Sequence, residues 1–223
     1  YYADAYYVLG ADIDLAGVTY TPIGTVSGGD STTYAFRGTL DGQGYAIRHL
    51  TIASSALHTG LFGNAVGATF TDIMFEDVSI SVTAMRTGAL VGRGYGVNIS
   101  DVIVSSGSIS GTESVGGIVG IMVGTGNSIT DCENHASISG TLYGSGGIVG
   151  DTSSGTQITI SGCSNYGAVS CTLTTTGTYN SVSAGGIIGV IRSGSTSAIT
   201  GCYNYGNISA QNADGIDKTN EAG

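Results

Sequence analysis

Three stretches decide the fold: Ile129-Thr-Asp-Cys-Glu-Asn-His-Ala-Ser-Ile138, Ile160-Ser-Gly-Cys-Ser-Asn-Tyr-Gly-Ala-Val169 and Ile199-Thr-Gly-Cys-Tyr-Asn-Tyr-Gly-Asn-Ile208. A Cys, followed two residues later by an Asn, returns in one frame three times. Two earlier segments, Phe70-Thr-Asp-Ile73 and Ile99-Ser-Asp-Val102, fit the same frame with Ile or Val at the Cys position. Cys and Asn side by side suggest chemistry, but recurrence in frame suggests stacking.

Two further signatures accompany each copy. Before it stand Gly60-Leu-Phe-Gly63, Gly88-Ala-Leu-Val-Gly92, Gly116-Gly-Ile-Val-Gly120, Gly146-Gly-Ile-Val-Gly150 and Gly185-Gly-Ile-Ile-Gly189, whose last glycines are spaced by 29, 28, 30 and 39 residues. After it stand Val78-Ser-Ile-Ser81, Gly107-Ser-Ile-Ser110, Ala136-Ser-Ile-Ser139, Ala168-Val-Ser170 and Asn207-Ile-Ser209. Each unit thus holds three short apolar segments bounded by Gly, Ser or Asn, which read as strands. No stretch carries a sustained helical stripe with caps. Three strands per unit, one per face, predict a coil of an all-β, right-handed, three-sided parallel β-helix of roughly seven coils, stacked at about 4.8 Å.

Stacking gives the repeated residues structural readings. Ile73 and Val102 mark their position as buried, so Cys132, Cys163 and Cys202 read as small core hydrophobes. The spacing of stacked Cα atoms falls within the range that disulfides accept, but free thiols are the expectation. Cys171 has no evident partner. Asn134, Asn165 and Asn204 are expected at a turn between faces, bonding the backbone above and below and tolerating a left-handed conformation. Tyr166 and Tyr205, with His135 in their column, are expected to cover that turn from outside.

The whole chain reads as one domain, 1–223. Residues 1–59 form atypical first coils and a cap, 60–212 the five repeats, and 213–223 a partial repeat or polar tail. A strand is expected over 6–15, and Asp41-Gly42-Gln43-Gly44 as a tight turn between two strands. The long fourth-to-fifth spacing places an insertion within 171–184. Insertions in solenoids map to loops on one face, and Thr174, Thr175, Thr176, Thr178, Tyr179 and Asn180 there are the candidate binding residues for a glycan.

Composition narrows the partners. The chain has 39 glycines in 223 residues, 10 % charged residues and a net charge of −10 with only six basic residues. So few Lys and Arg exclude phosphate neutralisation, so nucleic acid is not an expected partner. An anionic membrane surface is not expected either. No window approaches 18 apolar residues, so no membrane insertion is expected. The chain starts without Met or a basic, apolar leader, and reads as a piece of a longer protein.

The repeats resemble a known family. Gly60-Leu-Phe-Gly63 and its degenerate copies resemble the GLUG motif. Asp12-Ile-Asp-Leu15, Pro22-Ile-Gly24 and Phe36-Arg-Gly-Thr-Leu-Asp-Gly-Gln-Gly-Tyr-Ala-Ile47 resemble the opening of GLUG-repeat proteins. The Cys-x-Asn-Tyr-Gly units at 163–167 and 202–206 are similar to a repeat of surface proteins in Gram-positive gut anaerobes. The resemblance covers nearly the whole chain. It implies a right-handed parallel β-helix in an extracellular, adhesin-like bacterial cell-surface protein. Similar repeats also lie beside the catalytic part of IgA-cleaving metallopeptidases, but their His-Glu-x-x-His motif is absent around His49, His58 and His135.

The column Asp72, Asp101 and Asp131 is the candidate for catalysis. Glycosidases need paired carboxylates at defined separations, but Gly162 and Gly201 continue this column, as a turn position allows. A lyase needs clustered cations, whereas Arg37, Arg48, Arg86, Arg93, Arg192 and Lys218 are scattered along the sequence. Arg93 is the one expected to face a ligand. Asp12 and Asp14, or the Asp72 column, are the Ca²⁺ candidates without matching any known loop. The three inward Cys lack a fourth zinc ligand. The sequons at Asn98 and Asn207 carry no weight. The reading is a non-enzymatic module of an adhesin or appendage, without metal or cofactor. A glycan or host matrix protein is the possible partner. The alternatives are a stalk or self-associating filament subunit, and a polysaccharide-active enzyme fragment.

Overall fold

A computed structural model describes residues 2–25, 32–53, 56–83, 85–173, 182–212 and 220–222. These residues contain no helix and form four parallel sheets wound as a solenoid of about five full turns. Sheet I holds Phe62–Val66, Val91–Tyr95, Val119–Val123, Val149–Thr152 and Ile188–Ile191. Sheet II follows with Thr69–Glu76, Asn98–Val104, Asn127–Thr130, Gln157–Ser161 and Thr196–Thr200, continued past a bend by Glu133–Asn134, Ser164–Asn165 and Tyr203–Asn204. Sheet III contains the Ser-Ile-Ser strands, from Val78–Ser81 to Ile208–Asn212.

Sheet IV is an addition to the three strands per unit expected from the sequence. It comprises His58–Thr59, Arg86–Thr87, Val115–Gly116, Tyr143–Gly146, Val182–Gly185 and Asn220–Ala222. Its strands are as short as two residues, too short for alternation to reveal them. Each Gly-Gly signature is therefore not one strand but the corner between sheets IV and I.

The expected seven coils resolve into five full turns and two partial layers. Tyr6–Val8, Ile13–Asp14, Thr39–Asp41 and Ala46–Arg48 extend sheet II, Thr51–Ile52 extends sheet III, and Ile23 and Phe36 bridge to Phe62 and Ala65 of sheet I. The stretch 6–15 is thus two short strands rather than one. Asp41-Gly42-Gln43-Gly44 does not close a hairpin. The strands on either side of it both pair in parallel with Thr69–Glu76. The turn is the bend of sheet II, with Gln43 and Gly44 at φ 54° and 73°.

Register explains the core. Tyr7, Leu40, Phe70, Ile99, Ile129, Ile160 and Ile199 follow one another in a single column. Leu40 to Ile160 are buried, and each fully buried apolar side chain contributes about 1.5–3 kcal/mol. Outward positions carry Ser and Thr, which hydrogen-bond along the axis, as from Ser170 Oγ to Ile138 O at 3.2 Å. Cys132 and Cys163 are fully buried and Cys202 half-buried. All four cysteines are free thiols. In-register neighbours related by translation keep their Cβ atoms about 4.8 Å apart, beyond the 3.5–4.5 Å of a disulfide. Their hydrogen bond and burial push the Cys132 thiol up, and burial also raises Cys202. Alkylation of the folded chain is expected to modify Cys202 first and Cys132 and Cys163 only on unfolding; mass-mapped iodoacetamide labelling checks this.

Candidate functional site

The bend of sheet II is set by Asp72, Asp101 and Asp131, exposed residues at φ 55°, 55° and 51°, continued by Gly162 and Gly201 at 65° and 60°. Asp tolerates this left-handed backbone better than most residues. The Asp column is thus a turn column. The Asn residues, by contrast, are not left-handed.

Their amides form a directional ladder at the corner between sheets II and III. Asn134 Nδ2 donates to Asn165 Oδ1 at 2.8 Å, and Asn165 Nδ2 to Asn204 Oδ1 at 2.7 Å. Each Nδ2 also donates within its own coil, to Ala136 O, Gly167 O or Gly206 O at 2.8–3.0 Å. The bonds therefore run from amide to amide and to the carbonyl two residues on, rather than to backbone above and below. Each amide lies against the second glycine of a Gly-Gly corner. A Cβ at Gly117, Gly147 or Gly186 would fall 2.4–2.6 Å from the carbon skeleton of Asn134, Asn165 or Asn204. The first two turns have Leu61 and Ala89 in place of that glycine and Phe75 and Val104 in place of the Asn. Gly-Gly and Asn thus occur together within this chain because one makes room for the other.

Outside this corner, His135 stacks on Tyr166 at 4.4 Å and 8°, and Tyr166 on Tyr205 at 4.9 Å and 13°. The rings consume one another's faces and present edges to solvent. The same corner in the first coils is ionic: Arg48 bonds Asp12 at 2.7 Å and Glu76 at 2.5 Å, and His49 bonds Asp14 at 2.8 Å. Asp12 is held low by the Ala46 N–H and Arg48, and Asp14 by His49 and the Ala16 N–H. Both acids are thus committed to local partners.

A second polar cluster was not legible as one. Sheet IV lies against sheet I, where glycine allows backbone contact: a Cβ at Gly92, Gly120 or Gly150 would lie 2.4–2.5 Å from backbone of Thr59, Thr87 or Ser114. Three arginines meet this seam, Arg86 and Arg93 from one turn and Arg192 from three turns on. Arg93 shares a sheet I column with Asn64, Ile121 and Asp151. Arg86 pairs with His58 in sheet IV. Arg192 Nε donates to Asp151 at 2.9 and 3.1 Å, and its Nη2 bonds the same carboxylate. Ser114 Oγ donates to Asp151 at 3.2 Å, and the Tyr143 ring lies 4.9 Å from the guanidinium carbon. Ser114 and Tyr143 hold φ 52° and 58°, conformations that cost of order 1 kcal/mol or more. Burial raises Asp151 despite Arg192, and burial raises Glu113 beside it. The signal that finds this cluster is the coil period itself: Arg93 and Asp151 are two turns apart in one column.

Arg192→Met leaves the Asp151 carboxylate buried without its cation. The expected cost at pH 7 is about 2 kcal/mol, below the 3–5 kcal/mol of a fully buried pair because Arg192 is 34 % exposed. An acid whose folded pKa is raised destabilises the fold above that pKa and is relieved as pH falls through it. The deficit is therefore expected to shrink on acidification and to vanish in the Asp151→Asn/Arg192→Met pair. Urea titrations at several pH values measure both.

The candidate binding residues Thr174, Thr175, Thr176, Thr178, Tyr179 and Asn180 lie outside the described residues. Strands of sheets III and IV flank them, ending at Leu173 and starting at Val182.

No family model matches the chain. The chain is similar to halomucin. Over 130 residues it is 32 % identical to that protein of Haloquadratum walsbyi; the match covers 53 % of this chain and 1 % of halomucin. In structure it is similar to a candidate immunoglobulin A1 protease from Bacteroides ovatus, at 21 % identity and a TM-score of 0.60, over 89 % of this chain and 68 % of the other. That likeness is one of fold.

Proposed function

We propose that the chain is a non-enzymatic repeat module of an extracellular surface protein, a rigid rod that presents adhesive surface to glycans or matrix proteins. The observation that carries this reading is the unbroken register of the coils, from Tyr7 to Ile199, with outer faces of Ser and Thr. Such a rod holds position over distance, and Asp151 with Arg192 at the seam and Arg48 with Asp12 and Glu76 at the first corner are engaged with each other. The similarity to halomucin, a protein named as a mucin, supports an extracellular setting. Exposed Tyr95, Tyr166, Tyr203 and Tyr205 and the 174–180 stretch supply the aromatic and hydroxyl groups that sugars and proteins bind.

The test is a binding screen of the purified chain against glycans and extracellular-matrix proteins, with oligomeric state and release of new sugar ends monitored. A saturable hit, weakened when 172–180 is replaced by Gly and Ser, supports adhesion. A monomer that binds nothing is a passive stalk. Release of sugar ends that stops in Asp151→Asn or Glu113→Gln overturns the non-enzymatic reading.

A further inference from the structure

We propose that the outer face of sheet II carries a binding cleft for a linear, neutral oligosaccharide. The cleft lies between Gly126 and Ala198 and is edged by Gln157, Thr159 and Thr196. This inference rests on the adhesive reading and gives that module a sugar site.

Three observations specify the ligand. First, the cleft has the size of a site. It measures about 420 Å³, within the roughly 300–1,000 Å³ of small-ligand clefts. It crosses the strands Asn127–Thr130, Gln157–Ser161 and Thr196–Thr200, whose register sets Gln157 beside Thr196, and Ser128, Thr159 and Ala198 in one column. Gln157, Thr159, Thr196 and Ala198 are exposed while Ile158 and Ile160 are buried, so the cleft faces away from the core. Small residues open it. A Cβ at Gly126 would meet nothing within 4 Å, and Ala198 ends a column that otherwise carries Thr69, Asn98, Ser128 and Thr159. Second, the floor is fixed before a ligand arrives. Asn127 is buried, and its Nδ2 donates to Val123 O, Gly124 O and Gln157 O at 3.1–3.2 Å while its Oδ1 accepts from Val97 N at 3.3 Å. One amide thus ties the turn at 123–126 to the next coil, which lowers the ordering cost of binding. Third, the surface chemistry is that of a partner for hydroxyls. The Gln157 amide and the Thr159 and Thr196 hydroxyls each donate and accept, as does every sugar hydroxyl. On the rim, the Tyr95 ring is 44 % exposed and lies against Gly124, where a Cβ would fall 2.5–2.6 Å from two ring carbons. Glycine at 124 lets the ring settle beside Gly126, where it offers an aromatic surface to the carbon–hydrogen face of a sugar.

Other ligand classes fit less well. None of the residues that line the cleft is charged, so a phosphate, an acidic sugar or a nucleic acid finds no cation in it. A peptide strand finds no edge to extend, because Asn127–Thr130 and Gln157–Ser161 are each paired on both sides. A protein partner needs a pocket for an apolar or aromatic anchor. The apolar side chains here are Ile158, which is buried, and the single methyl of Ala198.

The test titrates the purified chain with the linear tetrasaccharides of glucose, mannose, galactose and N-acetylglucosamine, and with the galacturonate tetramer as the acidic control. Affinity is read by calorimetry, and the Gln157 side-chain amide and Tyr95 ring signals by NMR. A neutral tetramer is expected to bind saturably and to move both sets of signals. Gln157→Ala is expected to weaken that binding about tenfold, the worth of one hydrogen bond, and Tyr95→Ala to weaken it as well. Both side chains are exposed, so circular dichroism of the two variants is expected to match that of the parent. A neutral tetramer held equally well by both variants overturns the cleft and leaves the adhesive reading standing with its site elsewhere. Tighter binding of the galacturonate tetramer overturns the neutral class. No binding of any tetramer overturns this inference, and the adhesive reading then falls only if the matrix-protein screen is blank too.

Discussion

Gly146→Ala is expected to abolish folding of the central coils, at a cost above about 4 kcal/mol, the range in which single substitutions are exceptional. The added Cβ would lie 1.9 Å from Val149 O and 2.6 Å from Gly189 N. Both atoms are backbone. Val149 O belongs to the strand that leaves the same corner, and Gly189 to the coil stacked on it. Neither yields without breaking the ladder between Val149 and Ile188, and a translation in one coil is passed to the next. Gly146 is not left-handed, so the loss is one of space. Gly10 provides the control: a Cβ there meets nothing within 4 Å and its φ is not positive. Gly10→Ala is expected to leave Tm within about a degree or two. Circular dichroism and proteolysis of the two variants, expressed side by side, measure the contrast. A folded Gly146→Ala protein would mean that the corner between sheets IV and I has slack.

The same residues show how far the sequence reaches. The coil period, the parallel sheets, the inward Ile column and the buried Cys position follow from residues that recur at one place, because in-register stacking turns a repeat in sequence into a column in space. Three things did not follow. Sheet IV is too short for its alternation to be read, and in the sequence the Gly-Gly corner reads as part of a strand because glycine reports close approach without saying to what. The seam of Arg86, Arg93, Asp151 and Arg192 was also not visible as a cluster. Arg86 and Arg93 share one turn, but Asp151 and Arg192 come from two later ones, and no one repeat contains the Asp151–Arg192 pair. Charges read as scattered along a solenoid sequence are better read modulo the coil, as Arg93 and Asp151 show.

Asn165→Ala is expected to cost about 3–4 kcal/mol, which lowers Tm by about 10 °C in a chain of this size. The side chain is fully buried and makes three hydrogen bonds: it accepts from Asn134 and donates to Gly167 O and Asn204 Oδ1. Its loss leaves those partners unsatisfied at about 1–3 kcal/mol for a buried group, and it opens a void against Gly147 that the backbone cannot close. Asn165→Asp separates these effects, because it keeps the volume and the acceptor but loses the donor. At neutral pH it buries a carboxylate beside Asn204 Oδ1 and Gly167 O, both acceptors, so its folded pKa rises above the unfolded value. The destabilisation is then present above the folded pKa and falls as pH drops through it, since the protonated acid regains one donor. Asn165→Ala has no such group and is expected to show the pH dependence of the parent. If Asn165→Asp loses little stability at any pH while Asn165→Ala loses its full amount, the amide acts by volume alone, and the ladder's direction has no energetic content. If only Asn165→Asp recovers in acid, donation along the column is what orders one coil upon the next.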